Sequence, residues 1–309
     1  MRPGRRQKID GSGEKVKSDG EFLPFFCILL SMPEPTTPPA LTLVIAVYNK
    51  ADLLRYVLAA CARQSFADFE VIVADDGSGP AIADVVRDAR TRYTYPLGHL
   101  WHEDLGWRKN TMLNNAIRAS HADQIVFIDG DCIPSRHFLR DHYEQRRPGR
   151  VLLGRRVETS QRWASQLSLE RITSGAYDRY GWADWMDGLN GHALRIEDGI
   201  RIPSAILRTI LLRNVRGMLG SNFSVWKADL VAINGFDELY NGPGCGEDSD
   251  IQFRLGLIGV TGRSLRNLAI QYHVFHALTK VSDACWDRFQ MVQKTTNPRC
   301  VHGLDFPKA

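Results

Sequence analysis

The chain has 309 residues, of which 44% are hydrophobic and 24% charged, an ordinary profile for a globular protein with a sizeable core. Net charge is +4, and residues 1–21 hold six basic and four acidic side chains, so +2 of it lies in that tail. The body is nearly neutral, which removes the charge argument for a nucleic-acid partner.

Near the start, "FLPFFCILLSM" (22–32) is the longest early apolar run. Eleven residues with an internal proline are too few for a spanning helix, which needs about 20. Basic residues before it and "PEPTTPPA" after it fit a secretory leader, but its leading region is long and holds four acids. Met32 is an alternative working start. Residues 1–40 are therefore left out of the fold, as a disordered tail.

"LTLVIAVYN" (41–49) is a continuous β-branched apolar run, which reads as a strand buried on both faces. "KADLLRYVLAACARQS" (50–65) carries Leu53, Leu54, Val57, Leu58 and Cys61 at helical spacing. A second buried strand, "FEVIVADDGS" (69–78), precedes a helix over 80–91. Residues 101–123 read as a loop and a third helix, and "QIVFIDGD" (124–131) as a further strand. This order predicts an α/β fold, a mostly parallel sheet with helices on both faces. The later chain is less regular. A strand is expected at 150–159, a strand, helix and turn at 221–240, a helix at 245–259 and a last strand at 267–276. "IPSAILRTILLRNVR" (202–216) is apolar and basic. It reads as a helix packed on the core, with a membrane-surface helix as the alternative.

Parallel sheets bind ligands at the carboxyl ends of their strands. Three of those ends carry polar residues here: Tyr48-Asn49, Asp75-Asp76 and Asp129/Asp131. No Gly-x-Gly-x-x-Gly follows the first strand, and no Gly-Lys-Ser/Thr loop is present, which argues against a dinucleotide cofactor and against phosphate-loop hydrolases. In an extended chain Asp129 and Asp131 face one side, and Gly130 lets a ligand approach the backbone. Two adjacent carboxylates repel unless a cation or a shared proton intervenes, and a divalent ion bridging to phosphate meets that need. A simple Asp-Gly turn remains the alternative.

"GPGCGEDSD" (242–250) is a tight loop followed by Glu247, Asp248 and Asp250 at a helix start. A favourable helix dipole explains one or two acids. The glycines suit a carboxylate that must reach a substrate hydroxyl as general base. "YHVFH" supplies His273 and His276. On a strand, residues three apart face opposite sides, so at most one would meet an ion unless the chain turns there. An imidazole ligand favours Mn²⁺ over Mg²⁺.

Taken in order, "VIAVYNK", "VIVADDGS", "VFIDGDCIP", "NFSVWKADLVAINGFDE", "GCGEDSDIQFRL" and "YHVFH" resemble the family 2 glycosyltransferases of the Rossmann-like GT-A fold. The last third looks like the galactosyltransferase-type segment of β-1,4-galactosyltransferases and chondroitin-type polymerases. The resemblance covers about residues 41–276. It implies an inverting, metal-dependent transfer of a sugar from a nucleotide-sugar donor, UDP above all, to a hydroxyl of a saccharide acceptor. Val47, Tyr48 and Asn49 would line the nucleotide pocket, with Asp75 or Asp76 on uracil. Asp129 would hold ribose or sugar. Asp131 would bind Mn²⁺ (or Mg²⁺), completed by His273 with His276 in reserve. Asp248 would be the base and Glu247 would hold the acceptor, with Arg108 near the diphosphate. The related loop usually has Trp and Gly where this chain has Pro243, Gly244 and Cys245, so the acceptor contacts differ.

The implied organisation is a nucleotide-binding half (41–135), an acceptor-binding half (136–276) and a C-terminal extension (277–309). The six cysteines include no CxxC pair and read as reduced thiols, hence a cytoplasmic setting, with the inner face of the membrane as an alternative. A sugar-1-phosphate nucleotidyltransferase and a non-catalytic nucleotide-sugar-binding protein are the competing readings. The first should carry a Gly-rich, Arg-containing loop after the first strand, and "VYNKADLL" has none.

Overall fold

The structure, a computed structural model, describes residues 28–30, 36–211, 217–276 and 286–305. Strand β2 (Leu41–Val47) shows how the sequence pattern becomes a layered core. Leu41, Leu43, Ile45 and Val47 join one apolar cluster with Leu54, Val57 and Leu58 of helix α1 (Ala51–Cys61). Val44 and Ala46 join the cluster on the other face, with Met112, Leu113, Ala116 and Ile117 of α3 (Lys109–Ala119). Period-two alternation with apolar residues on both sides is what a sheet covered by helices on both faces requires.

Strands β3 (Phe69–Asp75), β4 (Leu97–Trp101) and β5 (Gln124–Asp129) form a parallel block with β2, with α2 (Pro80–Arg92) between β3 and β4. β2 lies between β3 and β5, so the chain builds outward through β3 and β4 and then crosses to β5 on the other side of β2. That reversal opens a crevice above the carboxyl ends of β2 and β5, the usual ligand position in such sheets.

Among the described residues the large sheet has eight strands, ordered β1-β4-β3-β2-β5-β9-β7-β10. Its outer members are β1 (Ile28–Leu30), β7 (Arg150–Leu153), β9 (Phe223–Trp226) and β10 (Thr261–Ser264). β9 runs antiparallel to both β5 and β7, and β1 antiparallel to β4. A second sheet, ordered β6-β11-β8, joins β6 (Cys132–Pro134), β11 (Gln271–His273) and β8 (Val157–Glu158).

The fold departs from the sequence-based expectations at several places. Residues 28–30, left out of the fold by the sequence reading, form an edge strand; most of the expected tail lies outside the described residues. The single strand expected over 150–159 is two strands in two sheets. The strand expected over 267–276 is regular over 271–273 alone, and β4 and β10 were not foreseen. Within 202–216, Ala205–Leu211 is helical but leaves Ile206, Leu207 and Ile210 exposed instead of packed on the core; residues 212–216 lie outside the described residues. Cys61, Cys132 and Cys300 are free, but Cys245 is disulfide-bonded, so the six cysteines are not all thiols. A cytoplasmic setting therefore does not follow from the cysteines. Among the described residues, no helix is long and apolar enough to cross a membrane.

Candidate active site

A cavity of about 430 Å³ sits at the carboxyl edge of β2, β3 and β5, a size suited to a small-molecule ligand. Val47, Tyr48 and Lys50 line it from the end of β2, Asp76 from β3, and Asp129, Gly130 and Asp131 from β5. Trp107 and Lys109 enter from the start of α3, and Pro243 from the loop before the Glu247 helix. Tyr48 is half exposed and donates its hydroxyl to Asp104 at 2.8 Å. Asn49, at φ 50°, is not a lining residue. Its side-chain oxygen accepts from Gly79 N at 3.1 Å and its own N–H donates to Ser78 Oγ, tying the loops after β2 and β3 together.

The two adjacent aspartates of β3 part company. Asp75 is fully buried below the cavity, accepting from Ser78 N at 2.9 Å and lying 3.0 Å from His99 Nε2. Asp76 faces the cavity, with His102 Nε2 2.9 Å from Oδ1 and Arg108 N donating to Oδ2 at 2.9 Å. Each carboxylate oxygen keeps a second lone pair, so Asp76 can still accept from a ligand. Arg108 donates to this site from its backbone N–H; the basic side chains that line the cavity are those of Lys50 and of Lys109, the residue after Arg108.

Lys109 Nζ bonds Asp129 Oδ1 at 2.6 Å. Burial pulls its pKa down, but Asp129, Asp248 and Glu247 outweigh that and hold the ammonium firmly charged. Gly130 donates to Ala46 O at 2.7 Å, and a Cβ there would meet Val47 Cγ2 at 3.0 Å. The glycine thus lets the Asp129–Asp131 turn fold tightly over β2.

Asp131 is met by two histidines. Its oxygens lie 3.7 Å from His273 Nε2 and 3.2 Å from His276 Nε2, and the two Nε2 atoms are 3.1 Å apart. One ligand atom from each of the three residues falls within 4.8 Å of the others. The small sheet builds this cluster: His273 is in register with Cys132, next to Asp131, on one side and with Glu158 on the other. β11 ends at His273, and the turn that follows returns His276 to the same spot. A carboxylate with two imidazoles is a donor set that suits Mn²⁺ or a similar divalent ion. Glu158 holds His273 Nδ1 and is itself held by Arg156 at 2.8 Å. Pinning the far nitrogen in this way aims the ring at a metal, so the residues fit one. Burial alone would raise the Asp131 carboxyl, but the two histidines and Lys50 hold it far below the usual range.

Glu247 and Asp248 open the helix Glu247–Leu257 after Gly246, which sits at φ 91°. Asp248 Oδ2 accepts from Gly220 N at 2.7 Å, and any Cβ at residue 220 would collide with this carboxylate. Burial, then the charge of Glu247, raises Asp248 to about 7, with Lys109 pulling the other way. Asp250, the third acid, pairs with Arg254 at 2.6 Å inside the protein and is part of the framework.

Lys50, Lys109, His102 and Glu158 were missed from the sequence. "YNK", "WRKN" and "RRVET" place each beside a residue or strand end already singled out, so adjacency was the available signal for three of them.

Residues 42–206 match the family model described as glycosyl transferase family 2, and residues 211–277 match one described as N-terminal domain of galactosyltransferase. The chain is 30% identical over 235 residues to a validoxylamine A glucosyltransferase of Streptomyces hygroscopicus subsp. jinggangensis (strain 5008), covering 72% of this chain and 52% of that protein. It is 28% identical over 256 residues to a chondroitin synthase of Escherichia coli, covering 75% of this chain and 34% of that one. The chain thus spans about half the length of the first relative and a third of the second. In three dimensions it resembles S. aureus TarS 1-349 in complex with UDP-GlcNAc, with 16% identity, a TM-score of 0.52, and coverage of 82% of this chain and 65% of that one.

Proposed function

The chain belongs to the family 2 glycosyl transferases, and on that premise we propose an inverting, divalent-metal-dependent transfer of a sugar from a nucleotide-sugar donor, UDP-linked above all, to a hydroxyl of a saccharide acceptor. The observation that carries this reading is the convergence of Asp131, His273 and His276 at one edge of a cavity lined by Asp76, Asp129 and Lys109. The structure of S. aureus TarS 1-349 in complex with UDP-GlcNAc shares the fold, which supports the same class of donor.

In this reading Asp76, steadied by His102 and by Arg108 N–H, accepts the N–H of the pyrimidine base. Asp75 stays below it as framework. Asp129, held by Lys109, accepts hydroxyls of the ribose or of the transferred sugar. Asp131, His273 and His276 would hold Mn²⁺ or Mg²⁺, which would supply Lewis-acid stabilisation of the negative charge on a diphosphate. Asp248, raised to about 7, is poised to take the acceptor hydroxyl's proton near neutral pH. The acceptor oxygen then attacks the anomeric carbon from the face opposite the diphosphate, in a single displacement. Glu247 beside it accepts a second acceptor hydroxyl.

A panel of UDP-sugars with Mn²⁺ and mixed saccharide acceptors, read as UDP released, tests the reading. UDP should appear with one donor and depend on both the metal and Asp248. Tight UDP–Mn²⁺ binding without release from any donor would instead favour a binding protein.

A further inference from the structure

The loop after β2 places a lysine where the ion of the proposed metal site would put its charge. Lys50 Nζ lies 2.6 Å from Asp131 Oδ2 and 3.1 Å from His276 Nε2, two of the three groups offered to the ion. We propose that Lys50 is a resident, displaceable cation of this site, which holds Asp131 and His276 in position until a divalent ion enters and then turns to the phosphate oxygens of the donor. The proposal rests on the metal reading given above.

Four observations carry it. The Asp131 side chain is only 10% exposed, and a carboxylate so enclosed requires a compensating cation. Lys50 supplies it from a side chain that is itself 37% exposed, so the ammonium has open space to move into. Its backbone stays fixed, because Lys50 O accepts from Leu54 N at 2.9 Å as the first bond of α1, so the exchange needs rotation about side-chain bonds alone. Lys50 also lines the cavity beside Asp129 and Lys109, where a diphosphate would lie. Two positive charges cannot share the two groups that Lys50 touches at this separation, so entry of the ion expels the ammonium. A lysine is a compact, mobile point charge suited to serving two anions in turn.

The test is Mn²⁺ titration of the full chain, followed by UDP titration at saturating Mn²⁺. It uses wild type, Lys50→Met, Lys50→Gln, Lys50→Arg and, as control, Asp131→Asn, each with its melting temperature. Lys50→Met and Lys50→Gln should bind Mn²⁺ about fivefold or more tighter than wild type and bind UDP–Mn²⁺ at least fivefold more weakly. Lys50→Arg should stay near wild type in both. Unchanged or weaker Mn²⁺ binding by both neutral variants overturns displacement. Unchanged UDP binding overturns the turn to phosphate. Wild-type Mn²⁺ binding that does not depend on Asp131, or its absence, overturns the metal site itself, and the proposal with it.

Discussion

His273 and His276 bring their Nε2 atoms within 3.1 Å of each other although three positions separate them. In a continuous strand they would face opposite sides. The strand ends at His273, and Val274 N donates to Asp131 O at 3.0 Å as the chain turns. The turn makes both rings available to one ion, and Glu158 fixes the orientation of the first.

Glu158→Gln should weaken Mn²⁺ binding about 10- to 100-fold, the usual effect of removing a carboxylate that orients a metal-binding histidine. The fold should hold, because Glu158 lies at the rim of the small sheet and keeps its backbone pairing to His273. Titration with Mn²⁺ reads this directly; an unchanged affinity would remove Glu158 from the site.

Asp248→Asn should cut transfer by about 10²–10⁴-fold while leaving UDP–Mn²⁺ binding intact, as loss of a general base does. The same substitution should stabilise the protein at high pH. The sign follows from the raised carboxyl: its contribution to stability is fully present below the unfolded value near 3.8 and is lost as pH rises through about 7. At pH 8 the wild type therefore buries an unfavourable charge, worth at most about 4 kcal/mol. Thermal melts should show a higher Tm for the Asn variant at pH 8 and no difference at pH 4. Equal Tm values at pH 8 would contradict the burial account.

Lys109→Gln removes the cation that opposes protonation of Asp248 and holds Asp129. The Asp248 carboxyl, the proposed base, should then ionise at higher pH, moving the acidic limb of the rate profile upward, and kcat/KM should drop about tenfold or more. Lys109→Arg should recover part of it. A profile that keeps its midpoint would separate Lys109 from the base.

Gly220→Ala inserts a methyl against the Asp248 carboxylate. Transfer should fall by about 100-fold with UDP binding unaffected, since the displaced group is the proposed base for the acceptor. Loss of both would place the damage elsewhere.

Asp76→Ala should lower UDP affinity about tenfold or more and also lower Tm, because Arg108 N and His102 lose their acceptor. Asp75→Ala should lower Tm with UDP affinity little changed, because it leaves Ser78 N and His99 without their buried acceptor away from the cavity. The pair of melts and UDP titrations separates nucleotide contact from framework.

Much of this architecture was legible in the sequence, for physical reasons. β2, β3 and β5 are buried on both faces, so apolar runs such as "LTLVIAV" announce them, and the acids at their ends mark the ligand edge. Helix α1 was readable from Leu54, Val57 and Leu58. The small sheet was not: β8 has two residues and β11 three, too short for any periodicity, and their partners are distant in sequence. For that reason Glu158, which orients His273 across this sheet, went unseen. Asp75 and Asp76 were indistinguishable until the pleat put one under the sheet edge and the other in the cavity. Lys109 hid behind Arg108, because which residue of a helix's first turn faces inward depends on where the helix begins. Cys245 read as a thiol because pairing depends on spatial neighbours, and sequence spacing does not reveal them.

In the proposed function Asp131, His273 and His276 bind a divalent ion that the donor nucleotide needs. Calorimetric titration of UDP into the wild type and Asp131→Asn, with Mn²⁺ and with chelator, is the decisive check. UDP should bind the wild type with Mn²⁺ present, and lose about 100-fold or more in affinity either on chelation or on substitution. Equal UDP affinity in all four conditions would contradict it.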